Sequence, residues 1–221
     1  MFAFFFFNDT ATTEIYTLSL HDALPISVAY RRAGLGHPIV VGRPDEVAGF
    51  LNDAGMPEAI DEIEVINAAI TPHLNEYKDY LYNRLQRKGF DKRDCHILAS
   101  RDRHVFASLM LAHGHVDGMV TGATRKSAQV LQQINYVFDA SIEGGAVGIT
   151  AVLAGGRMVL IADTLVHEWP DAEDLADIAE RAAALARNLG LEPRVALASF
   201  STFGYPRSEE HTSELQSRRK L

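Results

Sequence analysis

Cysteine is almost missing from this chain. A single thiol, Cys95, in 221 residues excludes an internal disulfide and fits a protein kept in a reducing cytosol. A cytoplasmic location is therefore expected, with Cys95 an ordinary partly buried residue rather than a reactive one. Long apolar runs are missing too. None approaches the roughly 20 residues that cross a bilayer, so no membrane association is expected. Basic charge is in deficit, with 21 Lys+Arg against 29 Asp+Glu. Phosphate backbones are bound by clustered excess cations, and no nucleic-acid partner is expected. Neither a Walker motif nor a dinucleotide glycine fingerprint occurs. No Lys or Arg precedes Arg31, which removes the basic n-region of a secretory leader.

The two ends read differently from the middle. Residues 8–26 reproduce, letter for letter, the in-frame translation of a short-read sequencing adapter. Residues 207–217, "RSEEHTSELQS", resemble the translation of the companion adapter. Residues 1–27 and 207–221 are accordingly expected to be artefactual tails, set aside as fusion scars would be. Between them, 28–140 is expected to form a first α/β subdomain and 141–206 the start of a second, both incomplete.

Short apolar runs alternate with longer amphipathic ones in that middle region. "HPIVVG" and "IEVIN" read as strands, with "PDEVAGFLNDAG" a helix between them. Tyr77, Leu81 and Leu85 recur at helical spacing up to a glycine stop at Gly89. "RHVFASLMLAHG" is a further helix, 116–122 a buried strand, and "ATRKSAQVLQQINYVF" the helix after it. "ITAVLAG" and "RMVLIAD" meet at Gly155-Gly156 as a hairpin. Residues 172–189 carry an apolar stripe, from Leu175 and Ile178 to Leu185 and Leu189, behind a near capping box of Asp171 and Asp174. "RVALASF" is the last expected strand. Strands separated by helices predict an α/β fold with a largely parallel βαβ sheet.

Two strand ends could carry chemistry. At "DGMVTGATRKS" a strand stops at Gly122 and a helix opens among Thr124, Arg125, Lys126 and Ser127. Free backbone amides and the helix dipole would stabilise an anion there, most naturally a phosphate. At "ASFSTFGYP" the chain runs into the hydroxyls of Ser201 and Thr202, where ligands of open α/β sheets bind, beyond the carboxyl ends of strands. The plain alternative is that both are ordinary glycine-containing turns. His113 and His115 read as a helix C-terminus, not a metal pair. Asp163 could cap a turn. His167, Glu168 and Trp169 are either a functional loop or packing.

At these loops the sequence resembles the phosphate acetyltransferase/butyryltransferase family. The matching stretches are "GHPIVVGR", "VDGMVTGAT", "IADTLVHEWPDAEDLADIAERAA" and "LGLEPRVALASFSTFG". Within that family the C-terminal domain of NADP-dependent malic enzymes is the most similar, through "NYVFDA", "ADTLVHEWPDAEDL" and "EPRVAL…STFG". The resemblance implies a cleft between two α/β domains that takes a small-molecule ligand, acetyl-CoA or phosphate. It places ligand contacts at Gly122, Ala123, Thr124, Ser127, Ser201 and Thr202. It also implies a homo-oligomeric parent, no metal and no cofactor held by this piece.

Two departures from the family pattern bear on activity. Acyltransferases of the family carry His-Ser-Thr after the Gly-Ala and an arginine further along the helix. Here the positions read Arg125-Lys126-Ser127 and Gln132, and glutamine cannot replace a bidentate phosphate clamp. The segment that carries further active-site residues of the family is expected after Pro206, where the adapter-like tail stands. The reading is an inactive, acetyl-CoA-sensing regulatory domain of a malic enzyme. The alternative is a piece of a stand-alone transferase moving an acetyl or butyryl group between CoA and phosphate.

Overall fold

A computed structural model describes residues 2–3, 15–121, 126–138 and 146–198. The chain divides into two compact units, Met1–Asp139 and Ala140–Leu221.

The first unit is a parallel sheet between two helical layers. Its strands are β1 (Phe2–Ala3), β2 (Pro38–Val41), β3 (Glu64–Ile66) and β4 (Gly118–Met119), in the spatial order β3-β2-β1-β4. Successive side chains of a strand point to opposite faces, and β2 and β3 show it. Ile39, Val41 and Ile66 join one apolar cluster, while Val40 and Val65 pack against the other. The first cluster is covered by α3 (Leu74–Leu85), α4 (Lys92–Arg101) and α5 (Arg103–Ala112), and Val137 of α6 (Ser127–Val137) joins it. The second is covered by α1 (Ile15–Arg32) and α2 (Pro44–Asp53), through Leu24, Val28, Val47 and Leu51.

Local sequence explains most of these boundaries. Tyr77, Leu81 and Leu85, four residues apart, are all essentially inaccessible, as one helical face requires. A short 3₁₀ turn follows α3, and Gly89 closes it at φ +90°, a conformation glycine adopts without a Cβ penalty. Helix α4 is absent from the expected elements. It buries only Cys95 and Ala99, two small residues whose apolar signal is weak. What starts it is a reciprocal capping box between Asp91 and Asp94.

One reading is corrected in this unit. Among the described residues of the strand expected over 116–122, pairing is confined to Gly118–Met119, which are half-buried. Its sheet neighbour is the two-residue β1, and a ladder extends no further than its partner. Helix α1 runs through Val28, with Leu24 and Ser27 buried.

Among its described residues the second unit holds an antiparallel hairpin, β5 (Ile149–Ala154) and β6 (Arg157–Ala162), and α7 (Ala172–Asn188). Gly155 and Gly156 both take positive φ at the turn, as the hairpin reading requires. Asp171 accepts from the amides of Glu173 and Asp174, and Asp174 returns the bond to the Asp171 amide, so the capping box is complete. Of the expected stripe, Ile178 is buried while Leu185 and Leu189 are exposed.

The last expected strand is also corrected. Residues 191–198 form no ladder, and no strand among the described residues pairs with them; residues 199 and 200 of the expected strand lie outside the described residues. The Leu191 amide instead donates back to the Ala186 carbonyl, past Gly190 at positive φ, and Val195 and Leu197 line one cavity with residues of α7.

Candidate ligand site

Everything described around the exit of β4 is built from α5. Asp102 caps that helix, its Oδ1 accepting from the amides of His104 and Val105 at 3.0 and 3.1 Å. Its Oδ2 accepts from Gln133 Nε2 of α6 at 2.6 Å. One carboxylate thus fixes the start of α5 to the middle of α6. His104 is buried, and its Nδ1 is hydrogen-bonded to the Thr121 hydroxyl. One turn on, the Ser108 hydroxyl donates to the His104 carbonyl at 2.8 Å and lies 3.7 Å from Met119 Sδ. The side chains of α5 therefore hold both β4 and the residue that leaves it.

Of the six expected ligand contacts, Ser127 falls within this frame, half-buried in the first turn of α6. Gly122, Ala123, Thr124, Ser201 and Thr202 lie outside the described residues. Lys126 is the N-cap of α6 in an extended conformation and makes no side-chain capping bond. A cation, a hydroxyl and the first amides of a helix meet there, a combination that stabilises an anion. Gln132 is exposed; the amide turned toward α5 is that of Gln133. The Asp102, His104 and Gln133 group was not singled out in the sequence. An aspartate just before "RHVF" is a capping signal, but the pairings to Thr121 and Gln133 span 17 and 31 residues and leave no local trace.

The second unit holds a separate polar knot. Asp163 Oδ1 accepts from the amides of Gly148, Leu165 and Val166 at 3.0, 2.8 and 3.1 Å. Oδ2 accepts from the His167 amide at 3.0 Å and from His167 Nδ1 at 2.6 Å. Burial opposes its charge, but the amide of Leu165 and the imidazole of His167, with the other amides, outweigh it and hold the carboxyl down at about 2. Asp163 caps a turn, as the sequence allowed. Gly148 makes the close approach possible, since a Cβ there would stand 2.7 Å from Asp163 Oδ1 and 3.0 Å from the Leu165 amide nitrogen. His167 is oriented by the knot, whereas Trp169 is largely exposed rather than packed.

An apolar cavity of about 380 Å³ lies in the same unit, lined by Val159, Leu175, Ile178, Ala182, Leu191 and Val195 among others. Among the described residues no group of His, Cys, Asp or Glu is arranged to hold a metal ion, and no helix is long and apolar enough to cross a membrane.

Comparison with known proteins gives these loops a context. The family model described as phosphate acetyl/butaryl transferase matches residues 24–217. The chain belongs to that acyltransferase family. The chain is 41% identical over 183 residues to an NADP-dependent malic enzyme of Rhizobium meliloti, covering 83% of this chain and 24% of that protein. It is 28% identical over 178 residues to the phosphate acetyltransferase of Bacillus subtilis, covering 79% of this chain and 53% of that one. Among solved structures, a phosphotransacetylase from Streptococcus pyogenes superposes with a TM-score of 0.73 at 22% identity, over 94% of this chain and 64% of that one. The acyltransferase-family fold is therefore shared, and the α/β reading of the sequence holds. The chain spans about a quarter of the length of the malic enzymes it matches.

Proposed function

We propose that this chain is the acetyl-CoA-sensing regulatory domain of an NADP-dependent, oxaloacetate-decarboxylating malic enzyme. The observation that carries the reading is the difference in likeness. Two malic enzymes match at 41% and 35% identity, against 29% and 28% for two phosphate acetyltransferases. In this reading the phosphate groups of acetyl-CoA, or inorganic phosphate, are held at the start of α6. Lys126 supplies charge, Ser127 a hydroxyl, and Gly122, Ala123 and Thr124 the approach to the helix amides. Ser201 and Thr202 add hydroxyls to the ligand. Neither Lys126 nor Gln132 offers the planar two-donor fork of an arginine, so the site binds without transferring the acyl group. The protein acts in the cytoplasm as part of a homo-oligomer.

The test is a pair of measurements on one preparation. Acetyl-CoA binding is followed by calorimetry, and acetyl phosphate formation from acetyl-CoA and phosphate is assayed in parallel. The regulatory reading expects saturable binding without turnover, and binding weakened at least roughly ten-fold by Lys126→Ala, as loss of a charge-assisted contact implies. Turnover would establish the transferase reading instead. Absence of binding would refute both.

A further inference from the structure

A cluster of imidazoles at the other end of α5 has no part in the ligand site. His73 stands at the N-cap of α3, His113 at the C-cap of α5, and His115 in the turn that enters β4. The His73 and His115 rings are 4.3 Å apart between centroids, and those of His113 and His115 6.0 Å. Tyr77 of α3 lies among them, its hydroxyl 2.6 Å from His115 Nδ1. Helix α3 also presents Glu76, 3.4 Å from His73 Nδ1 and 3.9 Å from His113 Nε2. Tyr80 meets the His113 ring edge-on. From α5, His113 Nδ1 donates to the Leu109 carbonyl at 2.8 Å, and Phe106 packs on Tyr77.

We propose that His73, His113 and His115 form a proton-sensitive latch that holds the turn entering β4 against the first turn of α3. Burial pushes the Tyr77 hydroxyl up to about 12, so it keeps its proton and donates to His115. His115 Nδ1 must then be the bare, accepting nitrogen of a neutral ring. Protonating that ring puts hydrogen on both sides of the contact. It also adds a cation beside two other imidazoles whose one shared carboxylate is Glu76. Burial, then His73 and His113, lower the pKa of His115, which is the direction this geometry requires.

The sign follows. The neutral cluster contributes its full stability above the ordinary imidazole range. That contribution is lost as pH falls through the depressed pKa of His115. The His115 amide also donates to the Met110 carbonyl at 2.9 Å, so release of the ring frees the turn that leads into Val116 and β4. Because β4 is two residues long, little else in its own ladder restrains it. The latch therefore tunes local order in 116–121 and requires no ligand.

The experiment uses the full chain without ligand. Histidine ring resonances are titrated by NMR, and amide exchange of 116–121, corrected for intrinsic rates, is compared between about pH 8 and about pH 5.5, either side of the ordinary imidazole pKa. The expected result is a His115 titration below that of a free imidazole and faster opening of 116–121 at the lower pH than at the higher. His73→Gln changes an exposed residue and so spares the fold. It should raise the His115 titration and reduce the acid-induced opening. The inference is overturned if His115 titrates as an ordinary imidazole, if acid opening is spread evenly over α3, α5 and β2, or if His73→Gln leaves the opening unchanged.

Discussion

The two units spend their apolar residues differently. In the first, Tyr77, Phe106, Leu81, Leu109, Leu51 and Val28 are fully enclosed, and the sheet is covered on both faces. In the second, only Ile178 and Ala186 are buried among the described apolar side chains, while Leu153 is 74% and Val159 56% exposed. Hydrophobic stabilisation follows the area removed from water. The first unit is therefore held by its core. The second is held by backbone ladders, a helix cap and the Asp163 knot. The lesson is that equally apolar sequences stabilise very unequally, depending on how many layers close over them.

The largest expected effect breaks the comparison directly. Leu81→Ala should cost the first unit about 3–5 kcal/mol, the range for a leucine deleted from a closed core. Ile178→Ala in α7 should cost less than half of that, because the cavity beside it already leaves one side thinly packed. Amide exchange resolved by unit would check both values. Equal losses would mean that the second unit is as tightly cored as the first.

The next effect concerns the knot, and Trp169, the one tryptophan, reports it by fluorescence. Asp163 titrates at about 2 against an ordinary 3.8. Its folded pKa is depressed, so its contribution is complete above the ordinary carboxyl range and vanishes as pH falls toward about 2. At neutral pH that contribution is about 2 kcal/mol. Asp163→Asn should flatten the acid limb of the Trp169 unfolding curve. Gly148→Ala should destabilise the same unit by about 1–3 kcal/mol, because the added methyl meets backbone as well as the carboxylate.

Smaller still is Asp102→Ala, which removes a helix cap and the bond from Gln133. A cost of about 1–2 kcal/mol is expected in thermal melts, with opening centred on Thr121 and α6. The smallest is Arg43→Ala. Its partner Glu46 is three residues on at the surface, and exposed pairs contribute little. A melt indistinguishable from the parent is the expected outcome, and it sets the floor against which the others are read.

Periodicity and punctuation were sufficient for most elements. The four-residue recurrence of Tyr77, Leu81 and Leu85, the hairpin glycines 155–156 and the box of Asp171 and Asp174 are local signals, and each appears where it was read. Helix α4 was missed because two buried small residues make too faint a stripe. Over its described residues, 194–198, the strand expected at the end of the second unit is missing for the opposite reason. "RVALASF" has strand propensity, but propensity forms no ladder without a partner edge. Of the site, the sequence marked the amide-rich start of α6. It gave no sign that His104 meets Thr121 or that Gln133 meets Asp102.

Sequence by itself determined what needs only neighbours along the chain: helix faces, caps, turn glycines, the acidic charge balance and the family likeness of the loops. Tertiary structure alone decided which strands found partners, which of two equally apolar units acquired a closed core, and which histidines came to face one another. Ladders, burial and charge clusters depend on residues brought together from distant parts of the chain. The free energy of each such contact depends on the water it excludes, and no local stretch of sequence carries that information.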